Sequence, residues 1–201
     1  MIISLLFQNP LLYLMAAVAI TLALSVHEYA HAQAADTLGD KTARNMGRLT
    51  INPLAHLDPV GAFFIFVFGF GWGKPVPFNI LNVNNKRWGP AIIGLAGPFS
   101  NFALALLAGL ILRFSNFNNF GLVSFLSIFT QINLLLGVFN LIPIPPLDGS
   151  HVLAAFSPEI GETLRYKMGF FGLFIAILFM MYVGVPYIVT PLFGLLLGSG
   201  F

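Results

Sequence analysis

Four long apolar stretches decide what this chain can fold into. They cover residues 10–35, 90–112, 120–142 and 168–198. A helix that spans the hydrocarbon core of a bilayer needs about 20 mostly apolar residues, and spanning segments must satisfy their own backbone hydrogen bonds. We therefore predict an all-α polytopic membrane protein with about 4–6 transmembrane helices, organised as a single domain over residues 1–201.

The composition excludes other classes of protein. Only 8% of the residues are charged and 58% are hydrophobic, whereas soluble domains carry roughly 25% charged residues. An ordinary soluble globule and a disordered chain are both excluded. The chain has no cysteine, which rules out disulfides and thiolate chemistry. A net charge of +2 does not indicate a nucleic-acid partner, because basic residues in a membrane protein mainly set its orientation.

The basic residues lie almost entirely on one side of the predicted spans. That side carries Lys41, Arg44, Arg48, Lys74, Lys86, Arg87, Arg165 and Lys167, and only Arg113 lies opposite. The positive-inside rule then places the end of the first span in the cytoplasm. Gly184 and Pro186 could divide the last apolar stretch, so residues 168–198 form either one tilted helix or a hairpin.

Residues 60–84 differ from the spans. Their apolar part is too short to cross a bilayer. It is followed by Trp72, Lys74, Pro75 and Pro77, and each proline disfavours helix at the residue before it. We predict a short β-hairpin or re-entrant segment at the level of the membrane.

The first span carries the motif H-E-x-x-H, formed by His27, Glu28 and His31. Helix positions four apart differ by about 40° around the axis, so both imidazoles can bind one metal ion. Glu28 then lies beside the metal, where it can act as a base. Such a motif also arises by chance, but polar residues inside an apolar span are functional by default. The motif therefore predicts a zinc site.

A catalytic zinc ion needs a third protein ligand. The candidates are His56, Asp58, Asp148 and His151. Asp148 is favoured because prolines 143, 145 and 146 force non-helical backbone over residues 140–151, and such backbone must be buried in protein or line a cavity. We therefore predict a broken helix, interrupted at the end of the third span. The alternative is that this break serves only as a packing hinge.

Several motifs resemble the site-2 protease family of intramembrane zinc metalloproteases, peptidase family M50. They are residues 27–31, the N-to-LDG element at 140–149, and the G-P-x-x-N element at 97–101. Residues 47–61 resemble a loop of the compact prokaryotic branch, which lacks PDZ and CBS domains. The resemblance implies integral location in a prokaryotic plasma membrane, with the active site near the cytoplasmic side.

The resemblance also implies roles for individual residues. His27, His31 and Asp148 would bind one Zn²⁺ per chain, and Glu28 would activate water. Asn140 would steady the developing oxyanion, although it could equally cap the helix end. The implied substrates are transmembrane helices of membrane-anchored proteins, and the lipid bilayer is the surrounding partner.

Five further residues are weaker candidates for supporting the ligands or contacting substrate: His56, Asn101, His151, Trp72 and Lys74. His56 could instead bond its own loop, His151 could be a solvated interfacial residue, and Trp72 with Lys74 could anchor the chain at the interface. Another H-E-x-x-H membrane protease, a metal transporter and a non-catalytic membrane scaffold remain the alternative functions. The sequence leaves the oligomeric state open.

Overall fold

The computed structural model describes residues 2–68, 71–115 and 118–198, and its regular elements are helices. They are α1 (Ile2–Gln8), α2 (Pro10–Thr37), α3 (Thr42–Asn45), α4 (Pro53–His56), α5 (Pro59–Phe68), α6 (Gly89–Phe114), α7 (Phe120–Asn140), α8 (Gly149–Phe156), α9 (Pro158–Phe179) and α10 (Thr190–Leu197). A 3₁₀ turn at Ile80–Asn82 precedes α6.

Four helical segments of the described chain are long and apolar enough to cross a membrane. They are Pro10–Thr37, Gly89–Phe114, Phe120–Asn140 and Phe171–Leu197. The prediction of an all-α polytopic membrane protein is confirmed, at the lower end of the predicted number of spans. The protein is therefore an integral membrane protein.

The last apolar stretch forms one span, not a hairpin. Wider π-helical turns at Met180–Val189 join α9 to α10 and contain Pro186, which lacks the N–H of a regular helical turn. At the far end, Arg113 Nη1 donates to the Leu195 carbonyl at 2.6 Å. The ends of α6 and α10 thus lie together.

The third span ends at Asn140, two residues earlier than predicted. Residues 141–148 are irregular, and α8 is a separate short helix that begins at Gly149. The predicted broken helix is not confirmed, because the helix has already ended at Asn140 when prolines 143, 145 and 146 follow. A side chain at Gly149 would come within 2.6 Å of the Ile142 carbonyl oxygen, so only glycine fits this tight return.

The predicted β-hairpin at 60–84 is not confirmed either. Helix α5 is too short to span and packs against α1, and Tyr13 Oη of α2 donates to the Phe66 carbonyl at 3.3 Å. Within the described ranges the extended segment 71–79 forms no strand and makes only an isolated bridge, between Leu57 and Gly73.

The reason lies in the hydrogen-bond donors of this extended segment. Lys74 N–H donates to the His56 carbonyl at 2.7 Å, and Val76 N–H donates to Glu28 Oε2 at 2.9 Å. Pro75 and Pro77 have no N–H to offer. Too few donors remain for a two-stranded ladder.

Helices α2, α6 and α7 form the centre of the fold. Their contact surfaces are rich in small residues: Ala19 and Ala23 on α2, and Ala105 and Ala108 on α6, are at most 4% exposed. Small residues let membrane helices approach closely. Close approach is what allows polar groups on the three helices to reach one another.

Asp40 fixes the extended segment to the end of α2. This fully buried carboxylate accepts from the Asn79 N–H at 2.6 Å, from the Asn82 amide at 3.2 Å and from the hydroxyl and N–H of Thr42. Burial opposes ionisation, but hydrogen bonds from Thr42, Asn79 and Asn82 hold the pKa of Asp40 below its ordinary value. The carboxylate therefore remains an acceptor at neutral pH.

We expect Asp40→Ala to release the segment 71–82. The Asn79 N–H would lose its hydrogen bond to a charged carboxylate, at a cost of about 1.5–3 kcal/mol. Hydrogen–deuterium exchange should accelerate in this segment. Asp36→Ala is the matched control, because Asp36 is also buried but pairs with the half-exposed Lys41 and Arg44. Equal acceleration in both variants would contradict the assignment.

Candidate metal centre

Three side chains from distant parts of the sequence converge between α2 and the start of α8. His27 Nε2 and His31 Nε2 lie 3.0 Å apart, and Asp148 Oδ2 lies 3.2 Å and 3.3 Å from them. Both histidines are buried, and Asp148 is partly buried. The structure thus brings together the three residues predicted as metal ligands.

The outer hydrogen bonds of the histidines determine which ring nitrogen carries the proton. His31 Nδ1 lies 2.6 Å from the Ile93 carbonyl oxygen, which can only accept. His27 Nδ1 lies 2.6 Å from Asn101 Oδ1, also an acceptor. Both Nδ1 atoms must therefore be protonated. Each Nε2 of a neutral imidazole then carries a lone pair that points into the centre.

This donor set fits a metal ion. Two Nε2 lone pairs and a carboxylate oxygen face one another, and Asp148 Oδ2 is buried without a hydrogen-bond partner. With no proton between them, these three acceptors can all be satisfied by one bound cation. Two imidazoles and one carboxylate form a ligand set typical of catalytic zinc, which leaves a fourth position for water or substrate.

Gly97 closes one side of this centre. A Cβ atom at this position would come within 2.6 Å of His27 Cε1, and it would overlap His31 Nε2. The backbone of α6 can therefore approach the two imidazoles only because residue 97 has no side chain. The requirement for glycine here is a second sign that the space between the ligands must stay free.

Glu28 lies beside the ligands and is held from the opposite side. Its Oε2 accepts the Val76 N–H at 2.9 Å, and a side chain at Gly73 would contact its Oε1 at 3.8 Å. The extended segment 71–79 therefore forms a wall next to Glu28. The structure leaves this carboxylate oriented but only partly buried, as a proton acceptor requires.

Asn140, His56 and His151 are not joined to the three ligands by any hydrogen bond. Asn140 Nδ2 donates to the Leu136 carbonyl of its own helix at 3.1 Å. His56 is fully buried, and its Nε2 bonds the Thr50 carbonyl of its own loop at 2.6 Å.

His151 lies in α8 against the ring of Phe78. Burial, and then the positive charge of Arg165, lower the pKa of His151. A neutral His151 therefore adds no positive charge beside Asp148.

Trp72 and Lys74 lie on the segment that forms the wall beside Glu28. Trp72 is half exposed and stacks on Phe64 of α5. The Lys74 carbonyl accepts from Arg48 Nη2 at 2.6 Å, and Arg48 is buried. Sequence reasoning used Arg48 only for orientation, although a basic residue in a loop next to the metal motif could have suggested this contact.

Sequence reasoning missed two other participants, the Ile93 carbonyl and Asn133, which bonds Asn101. Ile93 contributes only its carbonyl, and any residue type could do the same. Asn133, in the middle of an apolar span, was overlooked, although a polar residue at that depth is a functional candidate by default.

We expect Gly97→Ala to abolish metal binding, because the added methyl group occupies the space beside His31 Nε2 and His27 Cε1. Metal content after purification in zinc-containing buffer measures the effect. Gly194→Ala is the control: Gly194 is also helical, and a Cβ there meets nothing within 4 Å. A full complement of zinc in Gly97→Ala would show that the site is elsewhere.

Comparison with known proteins gives relatives over most of the chain. It is 42% identical over 158 residues to "Putative zinc metalloprotease YwhC" of Bacillus subtilis (strain 168), covering 73% of this chain and 72% of the relative. It is 33% identical over 154 residues to "Putative zinc metalloprotease Rip2" of Mycolicibacterium smegmatis, covering 72% of this chain and 57% of that protein. No solved structure matches significantly.

A shorter match reaches "Zinc metalloprotease MJ0392" of Methanocaldococcus jannaschii, 34% identical over 96 residues, with 40% of this chain and 27% of that protein covered. The family model of peptidase family M50 matches residues 110–183, which include Asp148 and the span before it. With a relative of 42% identity aligned over nearly three quarters of both sequences, the chain belongs to peptidase family M50.

Proposed function

We propose that this zinc metalloprotease is an intramembrane endopeptidase that cuts peptide bonds within transmembrane segments of membrane-anchored proteins. The observation that carries the proposal is the position of the centre formed by His27, His31 and Asp148. The two histidines lie within a span of 28 residues, and Asp148 follows the end of another span. A peptide bond of the substrate would have to reach the centre among the membrane-spanning helices in order to be cut.

The ligand set indicates the chemistry. Zinc held by His27, His31 and Asp148 would supply Lewis-acid chemistry, which polarises a carbonyl and makes a water molecule more acidic. Glu28 is the residue that accepts the proton of the attacking water at a carboxylate oxygen. Glu28 then delivers this proton to the leaving amine nitrogen. The hydrogen bond from Val76 N–H keeps Glu28 oriented during both transfers.

Asn140 is proposed to donate to the developing oxyanion. Its amide has two N–H donors, and the Leu136 carbonyl uses one. The second N–H is proposed to donate to substrate. A preorganised donor of this kind would stabilise the negative charge that develops in the transition state. The contact with Leu136 also supports the structural alternative, in which Asn140 caps the end of α7.

The extended segment 71–79 is proposed to hold the substrate. The backbone groups of Lys74 and Val76 form hydrogen bonds with Arg48, His56 and Glu28. Alternate residues of an extended chain point in opposite directions, so the backbone groups between them face the other edge of the segment. On that edge Pro75 and Pro77 offer carbonyl oxygens but no N–H. An unwound substrate would therefore pair mainly through its own N–H groups. Substrates with Gly, Pro or Asn near the cut should unwind most readily, since these residues weaken helices.

The proposed location is a prokaryotic plasma membrane, with the centre near the cytoplasmic side. The one-sided distribution of basic residues supports this orientation. A metal transporter remains the alternative, because it would need the same three ligands. Glu28 argues against it, since a transport site needs no base held in place by a backbone N–H.

We expect Glu28→Gln to keep zinc and to lose cleavage by about 10²–10⁴-fold, because the amide cannot accept the proton. Asp148→Ala should lose both zinc and cleavage. Metal content and cleavage of a single-span model substrate in proteoliposomes are measured together. Glu159→Gln, at an exposed glutamate in the first turn of α9, is the matched control and should change neither.

Undiminished cleavage by Glu28→Gln would rule out the proposed role of Glu28. Zinc uptake by proteoliposomes that is equal in wild type and Glu28→Gln, without cleavage by either, would favour the transporter.

A further inference from the structure

A chain of buried amide groups runs from α7 to the metal centre. Asn133 Nδ2 donates to the Phe129 carbonyl at 2.8 Å, and Asn133 Oδ1 accepts from Asn101 Nδ2 at 2.8 Å. Asn101 Oδ1 then faces His27 Nδ1 at 2.6 Å. Asn101 and Asn133 are both fully buried, so neither can exchange these partners for water.

Main-chain carbonyls fix the direction of every bond in this chain. The Phe129 carbonyl can only accept, so the amide nitrogen of Asn133 must face it and the oxygen must face Asn101. Asn101 Nδ2 lies between Asn133 Oδ1 and the Ala23 carbonyl at 3.3 Å, both of which accept. Asn101 Oδ1 is thereby turned toward His27, which must donate from Nδ1.

We propose that Asn133 is a positioning residue that acts through Asn101 to keep the metal-binding lone pair on His27 Nε2. The inference rests on the proposed function, because it concerns the affinity of the same centre. If Asn101 turned over, its Nδ2 would face His27 Nδ1, and the proton would be driven to Nε2. A protonated Nε2 cannot bind a metal ion.

The two histidines differ in this respect. His31 obtains its orientation directly from the Ile93 carbonyl, which belongs to the backbone of α6. His27 depends on two side chains on two helices, and the second of them lies on α7, the span that leads to Asp148. The orientation of His27 is therefore coupled to α7, the helix whose end leads into the segment that carries Asp148.

The test measures zinc affinity by competition with a chelator, independently of proteolysis. We expect Asn101→Leu to weaken zinc binding 10–100-fold, the range typical of outer partners of metal ligands. Asn133→Leu should weaken it by about tenfold. Thr130→Val is the matched control, because Thr130 is equally buried on α7 but its hydroxyl bonds only the Leu126 carbonyl. This control should bind zinc as wild type does.

A double variant separates positioning from a general structural role. If Asn133 acts through Asn101, Asn133→Leu should cause no further loss of zinc affinity in the Asn101→Leu background. Equal losses in both backgrounds would overturn the proposal, and so would wild-type affinity in Asn133→Leu or an equal loss in Thr130→Val.

Two further measurements keep the test decisive. Asn133→Asp should recover zinc affinity, because a carboxyl group in this apolar site stays protonated, donates to Phe129 and still accepts from Asn101. In Co²⁺-loaded protein, the visible absorption bands should shift in Asn133→Ala but not in Thr130→Val, and unshifted bands would overturn the proposal. Zinc binding without cleavage in wild type would refute the proposed function and leave the positioning role intact.

Discussion

Three electron-pair donors that face one another across about one atomic diameter impose the main constraint on this protein. His27 Nε2, His31 Nε2 and Asp148 Oδ2 repel each other unless a cation lies between them. Helices α2, α6 and α7 must approach closely to hold this arrangement, which accounts for the small buried residues between them. Gly97 serves the same close approach, because a side chain at this position would collide with the two imidazoles.

The extended segment 71–79 is fixed by residues around the centre and not by its three ligands. It is held at Lys74 by Arg48 and the His56 carbonyl, at Val76 by Glu28, and at Asn79 by Asp40. These contacts consume the donors that a β-hairpin would need. The segment is consequently a fixed wall beside the proposed base, with its remaining edge turned outward.

The parts of the fold that follow from hydropathy and motif spacing could be predicted from the sequence. The spans were found because lipid demands long apolar helices. His27, Glu28 and His31 were found because helical spacing places them together, and Asp148 because prolines exclude helix around it. By contrast, the β-hairpin was predicted from local backbone preference, whereas side chains distant in sequence, Glu28 and Asp40, determine where the donors of that segment go.

The contacts that orient the site could not be predicted by the same means. Ile93 contributes a carbonyl, which carries no residue-specific signal, and the closeness of Gly97 to the imidazoles depends on how α6 packs on α2. Asn133 was visible as a polar residue in an apolar span, but its partner lies 32 positions away. Only the packing of three helices reveals which amide it meets.

The difference between the two histidines has an evolutionary consequence. The carbonyl that orients His31 is present whatever residue occupies position 93, so no substitution there deletes it. The amides that orient His27 are side chains, and single substitutions at 101 or 133 can remove them. In proteins descended from this chain, loss of activity can therefore begin with a substitution of Asn101 or Asn133. The H-E-x-x-H motif itself would remain unchanged.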